Sequence, residues 1–131
     1  MKNSFKIMLI DNDVENSTNL SEVFADLKLK DVTYIDSANA AILEHKHQNY
    51  DLTFVNCDVH NLNQLEILSQ IACIKPRHYA IMCKSNPDRD FIKTSIKHGA
   101  TGFLTEPYTA KKILHEIDKY IMFNEEDFAQ A

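Results

Sequence analysis

Five short apolar runs, each closed by polar residues and followed by apolar residues at helical spacing, restrict this chain to one class of fold. Residues 5–10 (FKIMLI), 32–35 (VTYI), 52–55 (LTFV), 78–83 (HYAIMC) and 101–105 (TGFLT) read as strands. Helical spacing follows each of them. It is carried by Leu20, Val23, Phe24 and Leu27 over 14–28, by Ala41, Ile42 and His45, and by a stretch over 63–72. It returns with Phe91, Ile92 and Ile96, and with Ile113, Leu114, Ile117 and Ile121 over 110–122. Apolar strands alternating with helices over short connections predict an α/β fold, a five-stranded parallel sheet with helices on both faces.

Local signals place the element ends. Asp13 is the expected cap of the first helix, and Ser37 or Asn39 that of the second. Asn86 is the expected cap of the fourth helix, with Pro87 in its first turn, Asp88 and Asp90 at its positive end, His98 in its last turn and Gly99 at C′. Residues 1–123 read as a single domain. Residues 124–131, with Glu125, Glu126 and Asp127, read as a frayed acidic tail.

Composition excludes several functions. A chain of 131 residues supports one core and not two. Its net charge of −5 contains no basic block, which argues against nucleic acid or an anionic membrane as partner. No apolar run is long enough to span a bilayer, and the start, MKNSF, has no signal-peptide core, so the expected setting is the cytoplasm. Cys57, Cys73 and Cys83 form no C-x-x-C pair and read as buried free thiols. The Asn16-Ser17-Thr18 sequon carries no meaning without secretion. The only two glycines, Gly99 and Gly102, come too late for a phosphate-binding loop after the first strand. His45 and His47 do not share a helix face, and His60 has no nucleophile nearby in sequence, so an enzyme is not expected.

Polar residues collect at the strand ends: Asp11-Asn12, Asn56 with Asp58, Lys84-Ser85, and Glu106-Pro107. In a doubly wound sheet ordered 2-1-3-4-5, four strands bring these to one carboxyl edge, where such folds bind their ligands. IMLIDND, the YDL run before Asn56, KHGATGFLTEPY and Pro107 together resemble a response-regulator receiver domain (CheY-like), from about Lys6 to Ile121. The resemblance implies the 2-1-3-4-5 order and a cis peptide before Pro107. Residue by residue, Asp11 matches one of two metal-binding acids and Asn12 replaces the other. The phosphoacceptor aspartate falls on Asn56, the switch hydroxyl on Lys84, the phosphate-binding lysine on Glu106, and the mobile aromatic on Phe103.

A neutral amide cannot act as the nucleophile that forms an acyl phosphate. Magnesium prefers carboxylate oxygens, so the expected metal binding is none, or weak at Asp11 and Asp58. Lys84 is expected to pair internally with Glu106, Asp11 or Asp58. At about 4 Å such a pair gains roughly 4 kcal/mol at an effective dielectric near 20, before desolvation offsets much of it. The chain therefore reads as an atypical receiver acting by protein–protein contact. Residues 90–98, Phe103 and 108–120 are its expected partner surface, and Lys93, Lys97, Lys111 and Lys112 suit an acidic partner. Alternatives are an input other than phosphate (a metal, a small ligand, or oxidation at Cys57 or Cys83) or a regulatory part of a larger regulator. Homodimerisation stays open.

Overall fold

The computed structural model describes residues 5–12, 14–59 and 62–130, and the side chains of residues 14–19 and 125–130 lie outside that description. The expected cap Asp13 and the loop residue His60 are likewise outside the described residues. Five strands and five helices alternate: β1 (Ile7–Ile10), α1 (Val14–Asp26), β2 (Val32–Ile35), α2 (Ala38–His47), β3 (Leu52–Asn56), α3 (Gln64–Ile74), β4 (Tyr79–Cys83), α4 (Arg89–Lys97), β5 (Gly102–Leu104) and α5 (Ala110–Gln130). All strand pairs are parallel, in the order β2-β1-β3-β4-β5.

Alternate residues of each strand feed two cores, because successive side chains point to opposite sheet faces. Ile7, Leu9, Phe54 and Ile81 pack with Leu20 and Phe24 of α1 and Ile113 and Ile117 of α5. Met8, Ile10, Val55 and Met82 pack with Ala41 of α2 and Ile67, Leu68 and Ile71 of α3. All residues of β1, β3 and β4 are buried, which is why these strands are mostly apolar on both faces rather than alternating, with Thr53 and Asn56 of β3 the polar exceptions.

Several element ends differ from the sequence reading. Asp88, not Asn86, caps α4: it is extended and its carboxylate accepts from the Phe91 N–H at 2.8 Å. Pro87 therefore precedes the cap instead of opening the helix. Ser37 caps α2, and Gly99 ends α4 at φ +113°, where a side chain would be strained. On α4 the inward position is Ser95, fully buried, while Ile96 is exposed. On α5 the inward line is Ile113, Glu116, Ile117 and Tyr120, and Leu114 faces out, one helical step of about 100° away. Residues 124–130, expected as a tail, continue α5, and they contain neither Gly nor Pro to stop a helix. Cys73 is exposed rather than buried, since the outer side of α3 carries it; Cys57 is half-buried and Cys83 buried.

Two buried polar features interrupt the core. Thr53 of β3 lies between two imidazoles, 3.0 Å from Nε2 of His45 and 2.7 Å from Nε2 of His78. The two rings meet edge to face at 4.7 Å, and Nδ1 of His45 has no partner among the described residues. On the other face Glu116, 2% exposed, lies over Gly102 and pairs with Lys119 at 2.7 Å. A Cβ on Gly102 would stand 2.5 Å from Glu116 Oε1 and 3.4 Å from Ile81. Gly102→Ala should therefore lose about 1–3 kcal/mol in urea denaturation through overpacking. In a Glu116→Ala background the same substitution should lose less than about 1 kcal/mol, and equal losses in both backgrounds would remove the steric explanation.

Candidate functional site

The ladders extend past the strand ends, and that extension aims the polar side chains. Asp11 N–H bonds Ile35 O at 2.9 Å, Cys57 N–H bonds Cys83 O at 2.8 Å, and Lys84 N–H bonds Leu104 O at 3.0 Å. Residues 11, 56–58 and 84 are thereby held at one carboxyl edge.

Two groups form there. In the first, Asn56 Nδ2 donates to Asp11 Oδ2 at 3.0 Å, with both residues 8% exposed. Asn56 Oδ1 accepts from the Asp58 N–H at 2.9 Å, and Gln64 Nε2 donates to the carbonyls of Asn56 and Val59, each at 3.2 Å. Both ends of the Asn56 amide are thus engaged, and the loop after β3 is tied to the first turn of α3. In the second group, Asp58 Oδ2 accepts from Ser85 N–H at 2.9 Å and from Ser85 Oγ at 2.8 Å. Its Oδ1 lies 3.7 Å from Lys84 Nζ. Lys84 Nζ also reaches Cys57 O at 3.5 Å and stands 5.3 Å from the centre of the Phe91 ring.

Of the three partners considered for Lys84, the fold brings Asp58. Glu106 is exposed and makes no hydrogen bond or ion pair among the described residues. Its peptide bond to Pro107 is cis. Phe103 is half-buried and meets Phe91 edge-on at 6.3 Å. The contacts that tie the β3–α3 loop to the β4–α4 loop are those of Ser85, which are much shorter than those of Lys84. In the sequence Ser85 stood out only as part of a polar strand end and Phe91 only as an apolar helix position, and Gln64 had no assigned role. Their roles depend on long-range geometry, and only the polar doublet Lys84-Ser85 marked the place.

Electrostatics disfavour thiol chemistry at this edge. Burial pushes the Cys57 thiol up to about 12, against the opposing pull of the Lys84 ammonium. Burial also raises Cys83 well above its ordinary value. Both thiols stay protonated at neutral pH, and a thiol in that form is a poor nucleophile and metal ligand. The residues present do not suit magnesium either. Among the described residues Asp11 is the single buried carboxylate at this edge and already accepts the Asn56 amide, while Asp58 is turned to Ser85. Among the described residues no group of three or more His, Cys, Asp or Glu is placed to hold a metal.

The fold and the sheet order are those of a receiver domain. The profile of the response regulator receiver domain matches residues 7–118, and the chain belongs to that family. It is 22% identical to the chemotaxis protein CheY of Listeria monocytogenes over 114 residues, covering 87% of this chain and 96% of that one. The signal receiver domain of an HD domain-containing protein from Pseudomonas fluorescens Pf-5 superimposes with a TM-score of 0.82 at 16% identity, covering 100% of this chain and 96% of the other. The receiver domain of a Pseudomonas aeruginosa sensor histidine kinase, with magnesium coordinated in its active-site cleft, has a TM-score of 0.78 at 18% identity, covering 90% and 98%. Among the described residues, no helix is long and apolar enough to cross a membrane.

Proposed function

We propose that this receiver domain of two-component signalling works without phosphorylation at the position matching the family's acceptor, and acts by protein–protein contact rather than as an enzyme. The observation that carries the reading is Asn56. Its amide has no nucleophilic oxygen to offer a phosphoryl donor, and its two polar ends are taken by Asp11 and the Asp58 N–H. The one buried carboxylate described at this edge, Asp11, is engaged by the Asn56 amide at 3.0 Å. An incoming phosphate would also lack the cation of the family's lysine, since the matching position is Glu106, an exposed carboxylate.

The partner surface is 90–98, Phe103 and 108–120. A groove of about 940 Å3 along β5 and α5, lined by Phe103, Leu114, Lys111 and Lys112 among others, supports it. Ile96 (56% exposed) and Leu114 (47%) are exposed large apolar side chains there, and Lys93, Lys97 and Lys111 are exposed beside them. An apolar centre with a cationic rim fits a partner helix or strand bearing acidic residues.

The test is an NMR titration of the whole chain with beryllofluoride, and separately with acetyl phosphate, each with and without magnesium. The expected result is no saturable shift at the amides of Asp11, Asn56 or Lys84. Saturable, magnesium-dependent shifts there would overturn the reading.

A further inference from the structure

A cavity of about 400 Å3 opens between α3 and α4 at the carboxyl edge, with Cys57, Leu65, Met82, Phe91 and Lys84 in its lining. Four of these are apolar or weakly polar, and the fifth is a cation whose side chain is only 30% exposed. An ammonium has three hydrogens to place. The nearest acceptors of Lys84, Cys57 O at 3.5 Å and Asp58 Oδ1 at 3.7 Å, lie beyond the usual N–H···O range of about 2.7–3.2 Å. Asp58 is held off because its other oxygen receives both donors of Ser85. The ring of Phe91, 5.3 Å away, offers the ammonium only a weak acceptor face. Lys84 is thus a half-buried cation at a mainly apolar cavity that Gln64, Asp90 and Thr94 also line, and its ion pair with Asp58, at 3.7 Å, is a loose one.

We propose that this cavity is a binding site for a small organic monocarboxylate with an apolar, ring-sized body. The carboxylate meets Lys84 Nζ, and the body lies against Leu65, Met82 and Phe91. One negative charge is favoured over two because Asp90 also lines the cavity and Asp58 stands beside Lys84. Occupancy has a route outward. Phe91 touches the ligand on one side and Phe103 on the other, and Phe103 belongs to the partner surface. This second step, control of the partner face, rests on the function proposed above; the binding step does not.

The probe is phenylacetate, titrated into the full chain and followed by amide NMR shifts, with benzyl alcohol as the uncharged control. Saturable shifts at Cys57, Phe91 and Thr94 are expected, with a Kd on the order of 1 mM or tighter. Benzyl alcohol should bind at least tenfold more weakly. Lys84→Met, which keeps the aliphatic stem, should weaken phenylacetate at least tenfold. Thr94→Trp, which fills the cavity and leaves Lys84 in place, should abolish the shifts and provides a second variant should Lys84→Met fold poorly. Absence of saturable shifts in the wild type up to about 10 mM would overturn the site. So would equal binding of acid and alcohol, or phenylacetate binding unchanged in Thr94→Trp. A beryllofluoride response would overturn the phosphate-independent reading alone, so the two failures are separable.

Discussion

Asn56→Asp should make this domain depend on magnesium for full stability. In the native protein the Asn56 amide donates to Asp11 at 3.0 Å inside a site that is only 8% exposed at both residues. The substitution replaces that donor by a second carboxylate at the same distance. Two like charges about 3 Å apart repel by roughly 5 kcal/mol at an effective dielectric near 20, and part of this is relieved when one carboxyl takes up a proton or rotates away. A net loss of about 2 kcal/mol is the expected remainder. For a domain of this size that lowers Tm by about 6–10 °C in EDTA. Millimolar magnesium then binds the folded dyad and restores most of the loss by mass action. Wild-type Tm should move by less than about 1 °C under the same change. Thermal denaturation of both proteins with EDTA and with magnesium is the measurement. An Asn56→Asp protein with the same Tm in both buffers, or a wild type that responds as strongly, would contradict the account.

Acid should destabilise the domain through the paired histidines. Burial, followed by the Lys75 charge, lowers His45 from 6.5 to about 4. Burial, then the neighbouring His45 and Lys75, lowers His78 to about 3. Glu44 and Asp51 pull the other way, and less strongly. Both imidazoles are therefore neutral in the folded state where they are already charged in the unfolded chain. The unfolded state binds more protons below about pH 6.5, so stability falls as pH falls. The loss accumulates down to about pH 4 for His45 and about pH 3 for His78, and is complete below those values. In the window the slope approaches about 1.4 kcal/mol per pH unit for each histidine, or roughly 3 kcal/mol between pH 6.5 and 5 for the pair. That is a large fraction of the roughly 5–15 kcal/mol typical of a domain. His45→Gln keeps an amide within reach of Thr53 and removes one titrating group, so urea-denaturation stability should depend on pH about half as steeply. A wild-type stability that is flat from pH 7 to 5, or an unchanged slope in His45→Gln, would refute the linkage.

Much of this was legible from residue order. The five apolar runs stood where the strands are, and the signal is densest in β1, β3 and β4, whose burial on both faces leaves few polar positions to blur the pattern. His45 was placed on the inner face of α2 from its spacing with Ala41, and both are buried. Asn56, Asp11 and Lys84 were picked out because an apolar run ending in a polar residue marks the carboxyl edge in this architecture.

Other features were not legible. Periodicity counted Leu114 and Ile96 as core and passed over Glu116 and Ser95, because it sees helix faces but not how closely a neighbouring sheet approaches. Gly102 allows a carboxylate to lie on β5, and only the packed structure shows that approach. The Thr53 bridge joins His45 to His78 across 33 residues of sequence, a partnership that no local pattern encodes.

The same division holds at the sheet edge. Sequence alone determined the chemistry available there: an amide at Asn56, a lysine just after β4 and a glutamate before Pro107. Those are properties of side chains and hold in any fold. Tertiary structure decided which of these groups meet. It gave Asp58 to Ser85, left Lys84 at 3.7 Å from its counter-charge beside an open cavity, and sent Glu106 outward. Pairing over a few ångströms depends on loop paths set by packing 27 to 45 residues away in sequence, and hydrophobic patterning carries no record of those distances.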